Sequence, residues 1–584
     1  MGRVSAASDP LLADLDDEQR VAAEALLGPV CILAGAGTGK TRAITHRIAY
    51  GVASGTYDPA RVMALTFTSR AAAELRERLR LLGAGGVPVR TFHAAALAQL
   101  NHFWPLVVGG AAPRVLEYKG RLLGAAAESI RLRVDQPTLR DVAAEIEWRK
   151  VGLLTPAAYE ARLAARGAPG SLEPDQFHDL VAAYERIKDE RRQLDFEDVL
   201  LATSGMVEAE ASVAMQVHES YRHFVVDEYQ DVSPAQQHLL DLWLGDRSEL
   251  CVVGDASQTI YSFAGATPEY LLGFERRFAD ATIVRLERNY RSVEPIVEAA
   301  NRLMRGRTGA LQLRAATAEK LGEEPAITSY ADELAEARGV ATVIRNRIDA
   351  GAAPEQIAVL MRVNSQSAML EHALDEVGVA SRIRGNVRFF DQPEVRQAVQ
   401  ALRAAALTIA NEPLFKSVSD VLRSLGWTAQ APDGPGAVRG RWESLNALAR
   451  LVDDAPAGTT FRAFADDLRA RAEAQHEPTV QAVTLATLHS AKGLEWDEVH
   501  IVGLTEGMLP IAYAKGLDAI DEERRLFYVG VTRARRRLSL SWARLGGQQR
   551  AVREESRFLR ELGSRTPDAP RARGGDQRTP AGRT

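Results

Sequence analysis

Two stretches far apart in the chain carry residues suited to a nucleoside triphosphate. The first, Val30-Cys31-Ile32-Leu33-Ala34-Gly35-Ala36-Gly37-Thr38-Gly39-Lys40-Thr41, is an apolar run leading into a glycine-rich loop. Glycine removes the Cβ obstruction, so backbone N–H groups of Gly35 to Gly39 can approach phosphate oxygens. Lys40 would reach the β- and γ-phosphates and Thr41 would ligate Mg²⁺, with Arg42 following on the same helix. The pattern holds if Ala34 stands in for its first glycine. A plain strand-to-helix turn is the alternative, but the strand before the loop and the helix expected over Thr41–Val52 favour a nucleotide. The second stretch, Tyr528-Val529-Gly530-Val531-Thr532-Arg533-Ala534-Arg535, sets a fixed cation on an apolar segment. Phosphate loops are common, whereas a second element able to bring an arginine to the phosphates is not. The pair suggests a motor whose halves close on ATP.

Between them, Phe224-Val225-Val226-Asp227-Glu228-Tyr229-Gln230-Asp231 places an acidic pair at the end of an apolar strand. Asp227 would stand beside Mg²⁺ and Glu228 would polarise the attacking water. Alone, such a pair reads more simply as a solvated turn; its combination with the loop favours catalysis. Val253-Gly254-Asp255-Ala256-Ser257-Gln258-Thr259-Ile260-Tyr261-Ser262-Phe263 follows. Gln258 could contact the γ-phosphate or its water while Tyr261 and Phe263 face a ligand; a polar strand end with two core aromatics is the alternative. Glu287-Arg288-Asn289-Tyr290-Arg291-Ser292 sets an aromatic beside a cation, suited to base stacking plus phosphate charge, or to a helix N-terminus with solvated arginines.

These residues need elements to position them. Short β-branched runs recur at Val30–Ala34, Val62–Thr66, His223–Val226, Leu250–Val253, Thr282–Leu286, Ile357–Met361, Val483–Leu485, Val499–Val502 and Leu538–Ser541. Each precedes a polar turn and a helical stretch, which predicts parallel sheets covered on both faces. That many strands suit two doubly wound α/β domains. Two segments rich in Ala, Arg, Leu and Glu, about 105–195 and 397–480, read as amphipathic helical insertions, the second broken at Ala431-Pro432-Asp433-Gly434-Pro435-Gly436. The first insertion explains why Lys40 and Asp227 lie so far apart. A first domain is expected over 1–104 and 196–285, a second over 286–396 and 481–565. The tail from about Thr566 is Pro/Gly/Arg-rich with almost no apolar residues and is expected to be disordered.

The 584 residues are 46% hydrophobic and 26% charged, a globular composition with a net charge of −5. No global basic field announces nucleic acid, so DNA binding must come from a local groove. Cys31 and Cys251 both sit in strand-like runs and read as buried thiols, without disulfide or metal spacing. No signal-peptide core and no run of about 18 apolar residues occurs, so a cytoplasmic protein with no membrane partner is expected.

The order of motifs resembles a superfamily-one DNA helicase of the UvrD/PcrA/Rep type, from about residue 11 to 545. It rests on Leu15-Asp16-Asp17-Glu18-Gln19, the loop Ala34–Thr41, Leu65-Thr66-Phe67-Thr68 with Ala71-Ala72, and Thr91-Phe92-His93. Asp195-Phe196-Glu197-Asp198, Val226–Asp231, Val253–Ala266 and Arg288–Ser292 continue it. Arg384–Phe390, Thr487–Trp496 and Glu522–Arg535 complete it. The resemblance implies two RecA-like domains with helical insertions, named 1B and 2B. It also implies that Gln19 reads the adenine edge, Tyr290 stacks on the base and Glu495 lies near the ribose. Arg291 and Arg533 would be fingers from the second domain onto the γ-phosphate. DNA contacts would be Phe67, His93, Phe196, Tyr261, Phe263, Asn364 and His489, since every base offers a π-face to an aromatic ring. For Phe196 and Phe390 alone, core packing would be the simpler reading.

Departures from the family pattern carry weight. Ala264 replaces an arginine common in relatives, and Ala368 follows Ser367 where relatives often have Arg. The stretch between Arg396 and Val483 is shorter than the usual 2B subdomain, and its Gly-Ile-Gly element is not found. With the Ser262-Phe263-Ala264-Gly265-Ala266 string, these features look most like an actinobacterial subtype. Some members of that subtype add a C-terminal nucleic-acid-binding domain, for which no room is expected here. The expected activity is an ATP- and Mg²⁺-dependent 3′→5′ helicase on single-stranded DNA and single-/double-strand junctions, in DNA repair, with a possible repair-protein partner. The rival is a translocase that strips proteins from single strands but unwinds poorly without a partner. A non-enzymatic scaffold and a nuclease fusion are both disfavoured.

Overall fold

A computed structural model describes residues 10–166, 168–169, 172–316, 322–384, 390, 392–406, 412–430, 437–452, 455–456, 458–474, 481–546 and 551–562. The motif residues 385–389, the loop 431–436 and the tail from 566 lie outside the described residues. The chain forms two compact units. One comprises Met1–Arg291, Gly306–Ala316 and Ala470–His476; the other comprises Ser292–Arg305, Thr317–Arg469 and Glu477–Thr584.

The first unit is built on strands β1 (Val30–Ala34), β2 (Val62–Thr66), β3 (Val89–Thr91), β4 (His223–Val226), β5 (Leu250–Gly254) and β6 (Thr282–Leu286). They pair in the order β3-β2-β4-β5-β1-β6, all parallel. The register sets Val30 beside Cys251 and Cys31 beside Val252. Side chains alternate across the pleat, so Val30, Ile32, Ala64, Val225, Cys251 and Val253 enter one core. Cys31, Leu65, Phe224, Val226 and Val252 enter the core on the other side. Two buried faces explain why these strands read as continuous apolar runs. Both cysteines are free and buried; burial pushes the Cys31 thiol up to about 12, which leaves it unreactive.

The second unit carries β7 (Ala326–Asp332), β8 (Ile357–Met361), β9 (Ser381–Arg384), β10 (Val483–Thr487), β11 (Trp496–Ile501) and β12 (Ala534–Gly546). Their order is β7-β12-β11-β8-β10-β9, again parallel, with Ala551–Val552 added antiparallel to β12. Both units are RecA-like α/β folds, as the strand-helix alternation predicts. All nine expected strands exist. Of β1–β12, three were not foreseen, β3, β7 and β9; they lie at sheet edges, where polar residues such as Arg90, Arg382 and Arg384 dilute the apolar signal.

The first insertion holds helices Lys119–Ser129, Gln136–Val151, Pro156–Arg166 and Pro174–Glu190 around their own core, including Leu123, Val142, Ile146, Phe177, Leu180 and Tyr184. A two-stranded parallel pair, Arg114–Val115 with Gln193–Leu194, closes its base. Pro393–Ala405, Leu414–Ser424, Ala437–Arg450 and Phe461–Ala474 form the second insertion, whose first helix begins before the expected boundary at 397. Among the described residues no helix is long and apolar enough to cross a membrane.

Candidate nucleotide site and single-strand track

Loops that follow parallel strands converge at the strands' carboxyl ends, the usual binding edge of open α/β sheets. The phosphate loop follows β1, and Gly39, in the left-handed region at φ 80°, opens the helix Lys40–Ala53. Gly37 is likewise left-handed at φ 71°. A Cβ on Gly37 would stand 2.7 Å from the Asn289 side chain, and one on Gly39 would stand 2.6 Å from Gln19 Nε2. Glycine is required at both positions by backbone conformation and by space.

Residues distant in sequence gather on this loop. Gln19 is buried, and its Nε2 donates to the Thr38 carbonyl at 3.0 Å. Asn289 Nδ2 donates to the Ala36 carbonyl at 2.7 Å, and Asn289 Oδ1 accepts from the Arg291 N–H at 2.9 Å. The Tyr290 N–H donates to the Gly37 carbonyl at 2.8 Å, and its hydroxyl donates to the Asp16 carboxylate. Arg42 Nη2 donates to the Asp14 carbonyl at 2.8 Å. Gln19, Tyr290 and Arg291 are thus brought beside the loop, and the boundary between the two units falls directly after Arg291.

Lys40 Nζ is buried without a hydrogen bond, 3.8 Å from Glu228 Oε1. A buried ammonium lacking hydrogen-bond partners is costly, and polyphosphate oxygens would supply them. Asp227 follows β4, 9% exposed, and its Oδ1 accepts from the Glu228 N–H at 2.9 Å. Burial first, then the Glu228 charge, raises its carboxyl above the usual range, against the pull of Lys40. A hydroxyl at Thr41 with a carboxylate at Asp227 is the oxygen set that Mg²⁺ prefers. Glu228 itself is left-handed at φ 52°, a backbone state uncommon outside glycine.

Two residues to which the sequence reading gave no role tie this acidic loop to the next one. Gln230 is fully buried. Its Nε2 donates to the Glu228 carboxylate, and its Oε1 accepts from the Asp255 N–H at 3.0 Å. Asp255 Oδ2 in turn accepts from Gln258 Nε2 at 2.8 Å. The available signal was an amide and a carboxylate set shortly after two apolar strand-like runs.

Aromatic residues occupy the same sheet edge. Phe67, after β2, stacks on Tyr261 with ring centroids 5.7 Å apart, and Phe263 meets Tyr261 edge-on at 6.0 Å. Phe263 is 65% exposed, which excludes the core reading for that ring. Phe196 is 53% exposed, contrary to its simplest sequence reading, whereas Phe390 is buried as that reading expects. Phe196 stacks on His93 at 3.9 Å, with the rings 12° from parallel. Burial, assisted by the Lys119 charge, lowers the His93 pKa to about 4.

Arg533, Glu495, Asn364 and His489 belong to the second unit. Arg533 is 2% exposed. Its guanidinium donates to the Val529 carbonyl at 2.8 Å, the Leu494 carbonyl at 3.2 Å and Thr532 Oγ1 at 3.1 Å. Glu495 pairs with Arg535. Asn364 is exposed at the start of a single 3-10 turn after β8. His489 follows β10, its pKa lowered to about 4 by burial and the Arg362 charge.

A phosphate loop and an acidic strand end on one RecA-like sheet, joined in one chain to a second such sheet, define a nucleoside triphosphatase of the two-domain motor class. Residues 15–279 match the UvrD/REP helicase N-terminal domain, and residues 284–432 and 435–545 match the UvrD-like helicase C-terminal domain. ATP-dependent DNA helicase UvrD2 of Mycobacterium tuberculosis is 47% identical over 591 residues, covering 97% of this chain and 84% of that protein. DNA helicase II of Escherichia coli is 31% identical over 641 residues, covering 94% and 88% respectively. ATP-dependent DNA helicase UvrD1 of Mycobacterium tuberculosis is 31% identical over 686 residues, covering 95% and 86%. The chain belongs to the UvrD/REP helicase family and is an enzyme of the helicase class.

Proposed function

We propose that this enzyme is an ATP-dependent 3′→5′ helicase and translocase on single-stranded DNA, acting in DNA repair. The observation that carries this reading is the Lys40 ammonium, buried without a hydrogen bond beside Glu228, on the sheet edge that also bears two aromatic stacks. Gln19 reads the adenine edge, Tyr290 stacks on the base and Glu495 faces the ribose. Residues Ala34 to Thr41, with Arg42 behind them, hold the phosphates. Thr41 and Asp227 would hold Mg²⁺, which when bound supplies positive charge to the phosphate oxygens. Glu228 takes the proton of the attacking water, and Gln258 orients that water. Arg291 and Arg533 add fixed charge to the transferring phosphoryl group, which is effective only when correctly placed.

On the DNA side, Phe67, Tyr261, Phe263, His93 and Phe196 of the first unit, with Asn364 and His489 of the second, grip bases and backbone without reading sequence. Alternation of grip between the units converts hydrolysis into stepping. The substrates are single strands and single-/double-strand junctions in the cytoplasmic nucleoid, with a repair protein as partner.

Ala264 and the short second insertion favour a second reading, in which the motor displaces proteins but unwinds poorly alone. One preparation with ATP and Mg²⁺ separates the two readings through streptavidin displacement from biotinylated strand ends and unwinding of a 3′-tailed duplex. Displacement from the 5′ end with unwinding supports the helicase, displacement without unwinding supports the translocase, and neither overturns both.

A further inference from the structure

The exposed ring of Phe196 sits in a turn whose other members are carboxylates. Asp195-Phe196-Glu197-Asp198 opens the helix Phe196–Ala209 with a reciprocal cap. Asp195 Oδ1 accepts from the Asp198 N–H at 3.1 Å, and Asp198 Oδ2 accepts from the Asp195 N–H at 3.0 Å. That cap by itself satisfies the start of a helix.

Three lysines, each from a different helix of the first insertion, nevertheless converge on this turn. Lys119, heading Lys119–Ser129, lies 2.6 Å from Glu197. Lys150, ending Gln136–Val151, lies 2.6 Å from Asp195 and 2.8 Å from Asp198. Lys188, near the end of Pro174–Glu190, lies 3.2 Å from Asp195 and also contacts Asp198. Glu185 completes the cluster 2.8 Å from Lys150, and the Tyr184 hydroxyl donates to Asp195 at 3.1 Å. The side chains of Lys150, Lys188, Asp195 and Glu197 are all less than a tenth exposed.

Buried ion clusters add little net stability over apolar packing, because desolvation offsets attraction, but they fix geometry. The carboxylates so held flank Phe196, whose ring stacks on His93. The same helix end reaches the other stack, since a Cβ on Gly265, in the turn after Phe263, would stand 2.7 Å from Val151 Cγ2.

We infer that Lys119, Lys150 and Lys188 are positioning residues of the single-strand track, through which the first insertion sets the pose of Phe196. This rests on the proposal that Phe196 contacts DNA. None of the three lysines touches the strand; each acts through the carboxylates flanking the ring.

The test measures affinity for a fluorescein-labelled oligo(dT) across a salt series, using the full chain. Phe196→Ala, Lys150→Met and the double variant are compared, with DNA-free ATP turnover and melting temperature as checks. Phe196→Ala is expected to weaken binding by roughly 5- to 150-fold, the range of one lost stacking contact. Lys150→Met should weaken it about 10-fold, and the double variant should bind no worse than Phe196→Ala alone. Its salt slope should be unchanged; a fall of about 0.7 would mean direct phosphate contact and overturn the inference. Additive losses, or full affinity in Lys150→Met while Phe196→Ala is impaired, would overturn the inference alone. Full affinity in Phe196→Ala would overturn the DNA-contact reading with it. Should Lys150→Met fail to fold, Lys119→Gln is judged by the same criteria.

Discussion

Lys40 Nζ and Glu228 Oε1 face each other at 3.8 Å, close enough for attraction and too far for a hydrogen bond. The lysine is held by the first turn of the helix after the phosphate loop, the glutamate by its own left-handed backbone after β4. Attraction across this gap keeps both groups poised where phosphate would enter. Lys40→Ala is expected to abolish DNA-stimulated ATP turnover, measured by phosphate release. Normal turnover in that variant would remove the phosphate-loop assignment.

Gln230 bridges the Glu228 carboxylate and the Asp255 backbone, which places Gln258 one hydrogen bond further on. Gln230→Ala leaves the buried Asp255 N–H without its acceptor and takes one donor from the Glu228 carboxylate. Turnover should drop on the order of 10²-fold, the cost of a small misplacement of reacting groups, while ATP affinity changes little. An equal loss of affinity and turnover would show that the bridge shapes the pocket and not the chemistry.

Arg533 is tied to the Val529 carbonyl at the end of the helix Leu517–Val531 and to the Leu494 carbonyl before β11. Arg533→Ala should lower turnover by on the order of 10³-fold with nucleotide binding retained. It should also destabilise the second unit by about 1–3 kcal/mol, because buried carbonyls lose their donor. Calorimetry and steady-state kinetics on one preparation separate the effects. A lower melting temperature with normal turnover would make the residue structural.

His93, His489 and His500 each titrate near pH 4 in the folded chain, because burial disfavours the charged ring. Their ordinary value is 6.5, so between those limits the unfolded chain binds more protons. Stability from these groups is therefore fully present above pH 6.5 and lost as the pH falls towards 4. The melting-temperature advantage of the parent over His500→Gln should shrink as the pH falls from 6.5 towards 4, a difference in which the opposite contribution of buried carboxyls such as Asp227 cancels. A difference that stays constant with pH would contradict the burial of the His500 ring.

Single-strand affinity should decline with salt at a log–log slope of roughly −0.7 per phosphate neutralised. Phe67→Ala should weaken binding by about 1–3 kcal/mol without altering that slope, since a ring stacks and neutralises nothing. A salt-insensitive affinity would argue against a groove that follows the backbone.

The sequence by itself determined the strand ends and the residues placed on them. Val30–Ala34, Val62–Thr66, His223–Val226 and Ile357–Met361 have the bounds their apolar runs predict, because strands buried on both faces leave a continuous signal. The phosphate loop was legible for a related reason, as glycine at Gly37 and Gly39 answers a local backbone demand.

Three edge strands escaped detection because Val89–Thr91 is only three residues long and polar residues dilute the apolar run in Ala326–Asp332 and Ser381–Arg384. Only tertiary structure decided which distant residues meet. Gln19, Asn289 and Tyr290 close on one loop through hydrogen bonds to its carbonyls, and local periodicity carries no trace of such pairings. The same holds for Phe196, whose flanking carboxylates pair with three lysines drawn from helices up to 77 positions away in sequence. Spacing along the chain records which face a residue takes, whereas the partner across that face is set by packing.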